Sequence, residues 1–344
     1  MITDQIAVVI LNWNGQKFLE QFLPKVIQYS SIAKVCVADN QSSDDSVAFV
    51  KKHFPEVIII QNTSNNGFAG GYNVALKQIN AEYYVLLNSD VEVTEHWLEP
   101  TIALMDSNKN IAACQPKILD YNHKHLFEYA GAAGGFIDKY GYPFCRGRVF
   151  NDLEEDKNQY NDAVEVFWAT GACMFVRAEA FWKVGGFDID YFAHMEEIDL
   201  CWRLKNIGYQ IYTEPKSLVY HVGGGTLHKL SPTKTYLNFR NNLTTLTKNS
   251  SPRFLFFKIL YRMVLDGIAA YKFLFEGKGA HFIAVAKAHV SFYAQLSSTL
   301  KKRKAMKALP NFRHTDFGIL KKNIVYLHFV KGIKTFNEII NTMT

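Results

Sequence analysis

Cysteine is sparse and unpatterned in this sequence: Cys36, Cys114, Cys145, Cys173 and Cys201 are odd in number, widely spaced and free of C-x-x-C or Cys/His pairing. That argues against a structural zinc site and against a disulfide framework. No internal repeat or low-complexity tract is present. No basic segment followed by an apolar run and a cleavage site precedes the first strand-like residues, so no secretion signal is read and a cytoplasmic address is expected. Long charge-free apolar runs are missing too. The longest apolar stretch, residues 254 to 275, carries Lys258, Arg262, Asp266 and Lys272 inside one helical arc of roughly 120°. A spanning helix would not keep such a stripe, whereas an interfacial helix would. The cluster Lys301-Lys302-Arg303-Lys304 with Lys307 is of the kind that binds anionic lipid. The plainer alternative is a core-packing amphipathic helix with a solvated charged face.

What is present is an ordinary globular balance, 48% hydrophobic and 20% charged over 344 residues, enough for one large core or two modest ones. The formal charge of +6 hides an asymmetry. Residues 250 to 344 hold 16 Lys or Arg against 4 Asp or Glu, net +12, and the remainder holds 22 against 28, net −6. This predicts an acidic-to-neutral body over residues 1–250 and a basic helical region over residues 251–344 that meets an anionic surface. A nucleic-acid binder would set its cations among exposed aromatics. Here they lie on amphipathic helices remote from the acidic clusters, so a membrane surface is expected and nucleic acid is not.

Residues 6 to 13 (IAVVILNW), 35 to 39 (VCVAD), 57 to 61 (VIIIQ) and 83 to 88 (YYVLLN) are short apolar runs separated by helix-length segments. Such alternation marks a parallel sheet covered by helices. Helices fit residues 16 to 28, 44 to 53, 71 to 80 and 95 to 106, giving βαβαβαβ for the first third. Residues 120 to 163, rich in Gly, Tyr, Asn and charge, read as long loops or a hairpin excursion rather than packed core. Beyond them come a strand at VEVFWA, a helix ending at Gly185-Gly186, and a helix from Glu196 to Asn206 stopped by Gly208.

The polar clusters sit at strand ends and helix starts, where open α/β sheets bind ligands. Asn12-Trp13-Asn14-Gly15 follows the first strand and Asp39-Asn40-Gln41-Ser42-Ser43-Asp44 the second. A carboxylate at Asp39 can accept the N3 hydrogen of uracil or thymine; a turn Asp is the alternative. Asn65 to Asn73 (NNGFAGGYN) is a glycine-rich turn opening a helix, suited to close backbone approach to a ligand with Asn73 facing it. It is not G-x-G-x-x-G and lacks the later acidic residue of a dinucleotide fold. Asn88-Ser89-Asp90 ends an apolar strand, and a carboxylate there suits a hard divalent cation bridging phosphate oxygens, or simply terminates the strand. Glu196, Glu197 and Asp199 repel one another, which raises at least one pKa towards a value useful for a base, while Asp199 can pair with Arg203 one turn on.

In their order, VILNWNG, VADNQSSDDS, NNGFAGGYN, LLNSD, and GGFD through EEIDLCWRL make the chain resemble the family 2 glycosyltransferases. The likeness is to the branch containing bacterial rhamnosyltransferases that act on polysaccharide and lipid-linked acceptors, and it covers residues 5 to 250. It implies an α/β GT-A fold, a Rossmann-like mixed sheet flanked by helices, followed here by a helical extension. It further implies that Asn12 and Asp39 hold the nucleotide base, with Asn14 and Asn88 in the donor site and Asn73 near it. Asp90 occupies the last position of the family's D-x-D motif, Asn88 standing where its first Asp often is, so a divalent cation (Mg²⁺ or Mn²⁺) would rest mainly on Asp90. His221 in VYHVGGG would complete the metal or diphosphate site, and Arg240 would face the leaving group. Glu197 takes the place of the catalytic carboxylate, with Glu196 and Asp199 beside it.

The reaction so implied is inverting transfer from a dTDP- or UDP-sugar to a hydroxyl of a glycan or lipid-linked acceptor, on the inner face of the plasma membrane. Rhamnose from dTDP-rhamnose is the leading donor. UDP-linked N-acetylglucosamine, glucose or galactose comes second, because Asp39 cannot tell thymine from uracil. A sugar nucleotidyltransferase would need a Gly-rich N-terminal loop with Arg and Lys for the triphosphate, which VILNWNGQKF lacks.

Overall fold

The computed structural model describes residues 2–223 and 231–342. In it the four apolar runs become β1 (Ile2–Asn12), β2 (Lys34–Asp39), β3 (Ile58–Gln61) and β4 (Ile79–Asn88). Ile6 through Ile10 are buried at odd and even positions alike, because helices cover both faces of the sheet. The helices between them are α1 (Gln16–Gln28), α2 (Ser46–His53) and α3 (Gly67–Leu76), the last starting earlier than residue 71. A short β5 (Val91–Val93), α4 (Glu99–Ser107) and β6 (Ile111–Asp120) follow.

Residues 120 to 163 depart from expectation. They carry β7 (Gly135–Asp138), β8 (Pro143–Cys145), β9 (Arg148–Val149) and β10 (Asp152–Leu153), a small sheet of their own. Phe127, Ile137, Phe144, Val149 and Tyr160 there are buried in the main hydrophobic cluster, so the segment is core and not a loop excursion. Its glycine marks tight packing: a Cβ on Gly135 would lie 2.0 Å from the Trp168 ring.

The main sheet is completed by β11 (Val164–Val166), β12 (Cys173–Arg177) and β13 (Gln210–His221), in the order β11-β13-β6-β12-β4-β1-β2-β3 with β5 on β13. β3, β2, β1 and β4 run parallel, and β12 lies antiparallel between β4 and β6. Asn12 is level with Asp39, and Leu11 with Asn88, so the polar strand ends share the carboxyl edge of the sheet. Helices α5 (Ala178–Lys183) and α6 (Glu196–Asn206) flank β12 and β13 in sequence.

After the sheet come α7 (Pro232–Asn249), α8 (Leu255–Phe275), α9 (Gly279–Lys307), β14 (Ile319–Leu320), α10 (Ile324–Phe329) and α11 (Phe336–Asn341). β14 pairs with β7, and Phe336 packs between the rings of Phe136 and Phe144 at 5.0 and 6.1 Å. The packing therefore runs across position 250. Two cations expected to meet lipid are consumed internally. Lys302 pairs with Asp188 and Asp190, and the buried Arg303 donates to the carbonyls of Thr247 and Lys248.

The charged stripe of α8 is split: its middle, Arg262 and Asp266, turns inward, against either sequence expectation, while Lys258 is partly exposed and Lys272 at the end of the helix is exposed. Arg262 and Asp266 are 4% and 0% exposed and pair at 2.8 Å, while Phe256 and Phe275 are 73% and 86% exposed. The buried pair is satisfied on all sides: Arg262 donates to Asn242 and the Tyr140 carbonyl and lies 3.6 Å over the Tyr142 ring, and Asp266 meets His289 at 3.3 Å. Among the described residues no helix is long and apolar enough to cross a membrane.

Candidate active site

At the carboxyl edge, the turn after β1 and the turn after β2 are knitted together. Asn12 donates to Asp39 Oδ1 (3.2 Å) and Ser42 Oγ (3.1 Å), and the second Asp39 oxygen accepts the Ser42 N–H at 3.0 Å. Asn14, at φ 51°, accepts the N–H of Ser43 at 2.7 Å. Asn12 Oδ1 is buried with no partner, and a Cβ on Gly15 would come within 2.5 Å of it. This corner thus brings together Asn12, Asn14 and Asp39. The glycine-rich turn packs on protein instead of opening to a ligand: a Cβ on Gly67 would meet the Phe192 carbonyl at 2.4 Å. Asn73 uses both ends of its amide on Phe187, donating to the carbonyl at 2.7 Å and accepting the N–H at 3.0 Å, so it fixes the GGFD turn.

β4 ends at Asn88, and Asp90 follows beside β5, which is paired with the end of β13. The pairing of Val91 with His221 sets His221 Nε2 3.2 Å from Asp90 Oδ1. On its other side, Nδ1 lies 3.2 Å from Glu128 Oε1 as an ion pair, without the alignment of a hydrogen bond. All three side chains are buried. Burial opposes a charge on the imidazole, but Glu128 and Asp90 outweigh it and push His221 up to about 10. With no metal bound, an imidazole between two carboxylates marks a corner that favours positive charge; a divalent cation would fit the Asp90 oxygen and, once His221 has released its proton, the imidazole nitrogen. Among the described residues no group of three or more His, Cys, Asp or Glu could hold a metal, so two protein ligands would leave the remaining positions to phosphate oxygens and water. Glu128 was not legible in the sequence, where it is a lone acid in the Gly- and Tyr-rich segment.

The third cluster stands at the start of α6. Its approach is strained: Phe192, His194 and Met195 have φ of 63°, 69° and 73°. Asn241 on α7 holds this loop by donating to the carbonyls of Tyr191 (3.1 Å), Ala193 (2.9 Å) and His194 (2.7 Å), and Arg240 donates to those of Asp190 (2.8 Å) and Tyr191 (3.1 Å). Arg240 is thereby spent on the loop.

The three acids of α6 differ sharply. Asp199 is wholly buried and bonded to Arg203 (2.8 Å), Lys248 (2.8 Å) and Asn249 (2.7 Å); burial would raise it, yet Arg203 and Lys248 hold it below the usual carboxylate range. Glu196 is buried and pushed well up by burial and by Glu197. Glu197 keeps an edge open to solvent, has one buried oxygen without a partner, and is raised to about 7 by burial against the opposing pull of nearby backbone N–H groups. It is a carboxylate poised to take a proton near neutral pH.

A family model, Glycosyl transferase family 2, matches residues 7–185. The chain is 24% identical over 245 residues to the N-acetylglucosaminyl-diphospho-decaprenol L-rhamnosyltransferase of Mycobacterium tuberculosis, covering 65% of this chain and 78% of that protein. It is 23% identical over 291 residues to the low-salt glycan biosynthesis hexosyltransferase Agl10 of Haloferax volcanii (80% and 86%), and 26% over 226 residues to rhamnosyltransferase WbbL of Escherichia coli (63% and 83%). In fold it resembles the mannosyltransferase PcManGT from Pyrobaculum calidifontis in complex with GDP-Man and Mn²⁺, at TM-score 0.51 and 13% identity over 89% of this chain and 83% of that one. It also resembles GalNAc-T7 with UDP, GalNAc and Mn²⁺, at TM-score 0.52 and 16% identity, covering 63% of this chain and 43% of that chain. With the family model spanning more than half of its length, the chain belongs to the family 2 glycosyltransferases and is an enzyme of the GT-A fold.

Proposed function

We propose that the protein transfers a sugar, with inversion, from a nucleotide-diphosphate donor to a hydroxyl of a glycan or lipid-linked oligosaccharide in cell-surface polysaccharide biosynthesis. The observation that carries this reading is Glu197, largely buried at a helix start with part of the residue reaching solvent, an unpartnered oxygen and a carboxyl raised to about 7. Glu197 takes the acceptor hydroxyl proton as the oxygen bonds to the anomeric carbon. The bond from that carbon to the diphosphate breaks in the same displacement, and the diphosphate leaves with the electron pair. Asp90 and His221 are the residues that would hold a divalent cation, Mg²⁺ or Mn²⁺, which when bound neutralises the charge of the leaving diphosphate. Asn12, Asn14 and Asp39 form the base end of the donor site, with Asn88 beside Asp90. Glu196 stands beside Glu197, itself raised by burial and by the Glu197 charge. Asp199, Asn73 and Arg240 act as positioning residues, since their polar atoms are committed to Arg203 and Lys248, to Phe187, and to the loop before α6.

Rhamnose from dTDP-rhamnose is the first-choice donor, in keeping with two rhamnosyltransferases among the relatives. UDP-linked N-acetylglucosamine, glucose or galactose is the second. An anionic membrane surface on the cytoplasmic side is the place of action, consistent with a lipid-diphosphate acceptor of the kind one relative's name describes. Calorimetric titration with a panel of dTDP- and UDP-sugars, with and without Mn²⁺, tests the reading. One nucleotide sugar should bind more tightly with metal, and less so in Asp90→Ala. Absence of binding by every donor in both conditions would remove the proposed donor site.

A further inference from the structure

The polarity of α8 is reversed relative to a helix on a water-facing surface. Two of its ionic residues, Arg262 and Asp266, are sealed against Asn242, Tyr142 and His289, while Phe257, Leu260, Val264, Ile268, Tyr271 and Phe275 form an outward stripe at spacings of three and four, with Phe256 beside it. A 21-residue helix presents about 30 Å of such face, well beyond the scattered apolar exposure of a water-facing surface. The buried ionic bonds set the helix's orientation, because turning the stripe inward would strip Arg262 and Asp266 of their partners.

At the root of this helix lies a cavity of about 210 Å³, walled by Lys139, Lys258, Lys321, Ser250 and Thr315. Ser250 is 4% exposed and its hydroxyl has no partner. Asp138 on the same wall is occupied by the N–H groups of Tyr140, Tyr142 and Ile324, which leaves Asp316 as the carboxylate facing Lys258. Three ammonium groups and an unused buried hydroxyl against one free carboxylate suit a phosphate. The cavity wall reaches α8, since Lys139 lies over the Tyr140 ring at 5.1 Å and that ring meets Tyr261 of α8 at 4.5 Å, tilted by 35°.

We infer that the outward face of α8 and the lysine-lined cavity at its root form one docking site for an anionic phospholipid surface, apolar side chains entering the acyl boundary and the cavity receiving a headgroup phosphate. Charge decides against a second copy of this chain as the occupant. Exposed Arg253, Lys272, Lys278 and Lys331 rim the α8–α10 region, Glu276 between Lys272 and Lys278 offsetting one of them, so the rim keeps an excess of positive charge that a second copy would oppose and an anionic bilayer neutralises. This deepens the membrane reading of the proposed function, yet vesicle binding requires no sugar transfer, so its failure and the failure of the donor reading are separable.

The test is co-sedimentation of the full chain with phosphatidylcholine vesicles, with and without phosphatidylglycerol. Three proteins are compared: wild type, Phe256→Ser/Phe257→Ser, and Lys139→Gln/Lys258→Gln, with donor affinity by calorimetry as the folding control. Wild type should prefer the anionic vesicles by about tenfold or more. The lysine variant should lose most of that preference, the phenylalanine variant should bind both vesicles at least about tenfold more weakly, and both should keep wild-type donor affinity. The proposal is overturned if wild type binds neither vesicle, or if the lysine variant keeps the full preference. It is equally overturned if inorganic phosphate binds the cavity while the phenylalanine variant still binds vesicles normally, which would make the cavity a free-phosphate site. Dimerisation abolished by the phenylalanine substitutions, without vesicle binding, would assign the face to a second copy.

Discussion

His221 Nε2 stands 3.2 Å from Asp90 Oδ1 across 131 residues of sequence, brought there by the pairing of β13 with β5. The contact joins a strand-end carboxylate to an imidazole whose other nitrogen faces Glu128, and so concentrates two acids and one base at the edge where the parallel strands finish. The proton on His221 and the cation proposed to bind Asp90 and His221 would compete for this corner.

Asp90→Asn should therefore abolish the gain in donor affinity that Mn²⁺ confers while leaving metal-free binding nearly unchanged. Turnover should fall by about 10²–10³, the range for removing a charge-stabilising element from a transition state. Titrating dTDP- and UDP-sugars with and without Mn²⁺ separates the two contributions. Equal metal dependence in variant and wild type would dissociate Asp90 from the cation.

The raised pKa of Glu197 gives a pH signature. If Glu197 is the base, as proposed, it must be ionised, so kcat/KM should rise with pH through about 7 and level off above it, and Glu197→Gln should lose that limb together with nearly all turnover. Stability runs the other way. A carboxyl whose folded pKa lies above its unfolded value favours folding below the unfolded pKa, and this contribution is lost as pH rises to the folded pKa. At pH 8 Glu197→Gln should thus be more stable than wild type by on the order of 1 kcal/mol or more, read as a higher unfolding temperature. A variant less stable than wild type at pH 8 would contradict the burial argument.

Asp199 gives the opposite pattern. It is wholly buried and ion-paired, and its folded pKa lies below the unfolded value, so its stabilisation is present at neutral pH and lost as pH falls. Asp199→Ala leaves the buried Arg203 without its carboxylate and Lys248 with Asp188 alone, and should cost about 3–5 kcal/mol in denaturant unfolding. Adding Lys248→Met should recover part of that loss. If Asp199→Ala keeps full stability and loses only turnover, the residue belongs to the chemistry.

The difference between Glu197 and Asp199 was only half legible in the sequence. The i, i+4 spacing announced the Asp199–Arg203 pair, but Lys248 and Asn249 arrive from α7 and carry no local signal. The β1 to β4 alternation was readable because parallel strands buried on both faces are written as unbroken apolar runs. The segment 120–163 was not, because its core is built from Gly135 under Trp168 and from Tyr160, residue types that are equally common in loops. Periodicity revealed a charged stripe on α8 without its direction, since a period says which residues share a face and not what lies opposite. The buried partners Asn242, Tyr142 and His289 decided that.

The strained loop before α6 supplies a last expectation. Phe192, His194 and Met195 hold positive φ, a conformation that costs of order 1 kcal/mol or more per non-glycine residue and persists only if something over-determines it. Asn241 does so through one amide shared among three carbonyls. Asn241→Ala should let the loop relax and displace Glu197, lowering kcat by about tenfold to a hundredfold. The proposed nucleotide end of the site, Asn12 and Asp39 at the ends of β1 and β2, makes no hydrogen bond to this loop and is untouched by the change. Donor affinity should then stay at the wild-type value while kcat falls, and Asn241→Asp, which can no longer donate to the carbonyls, should behave like the alanine variant. Loss of donor affinity in parallel with kcat would mean that the loop serves the donor site and that Glu197 is not what it positions.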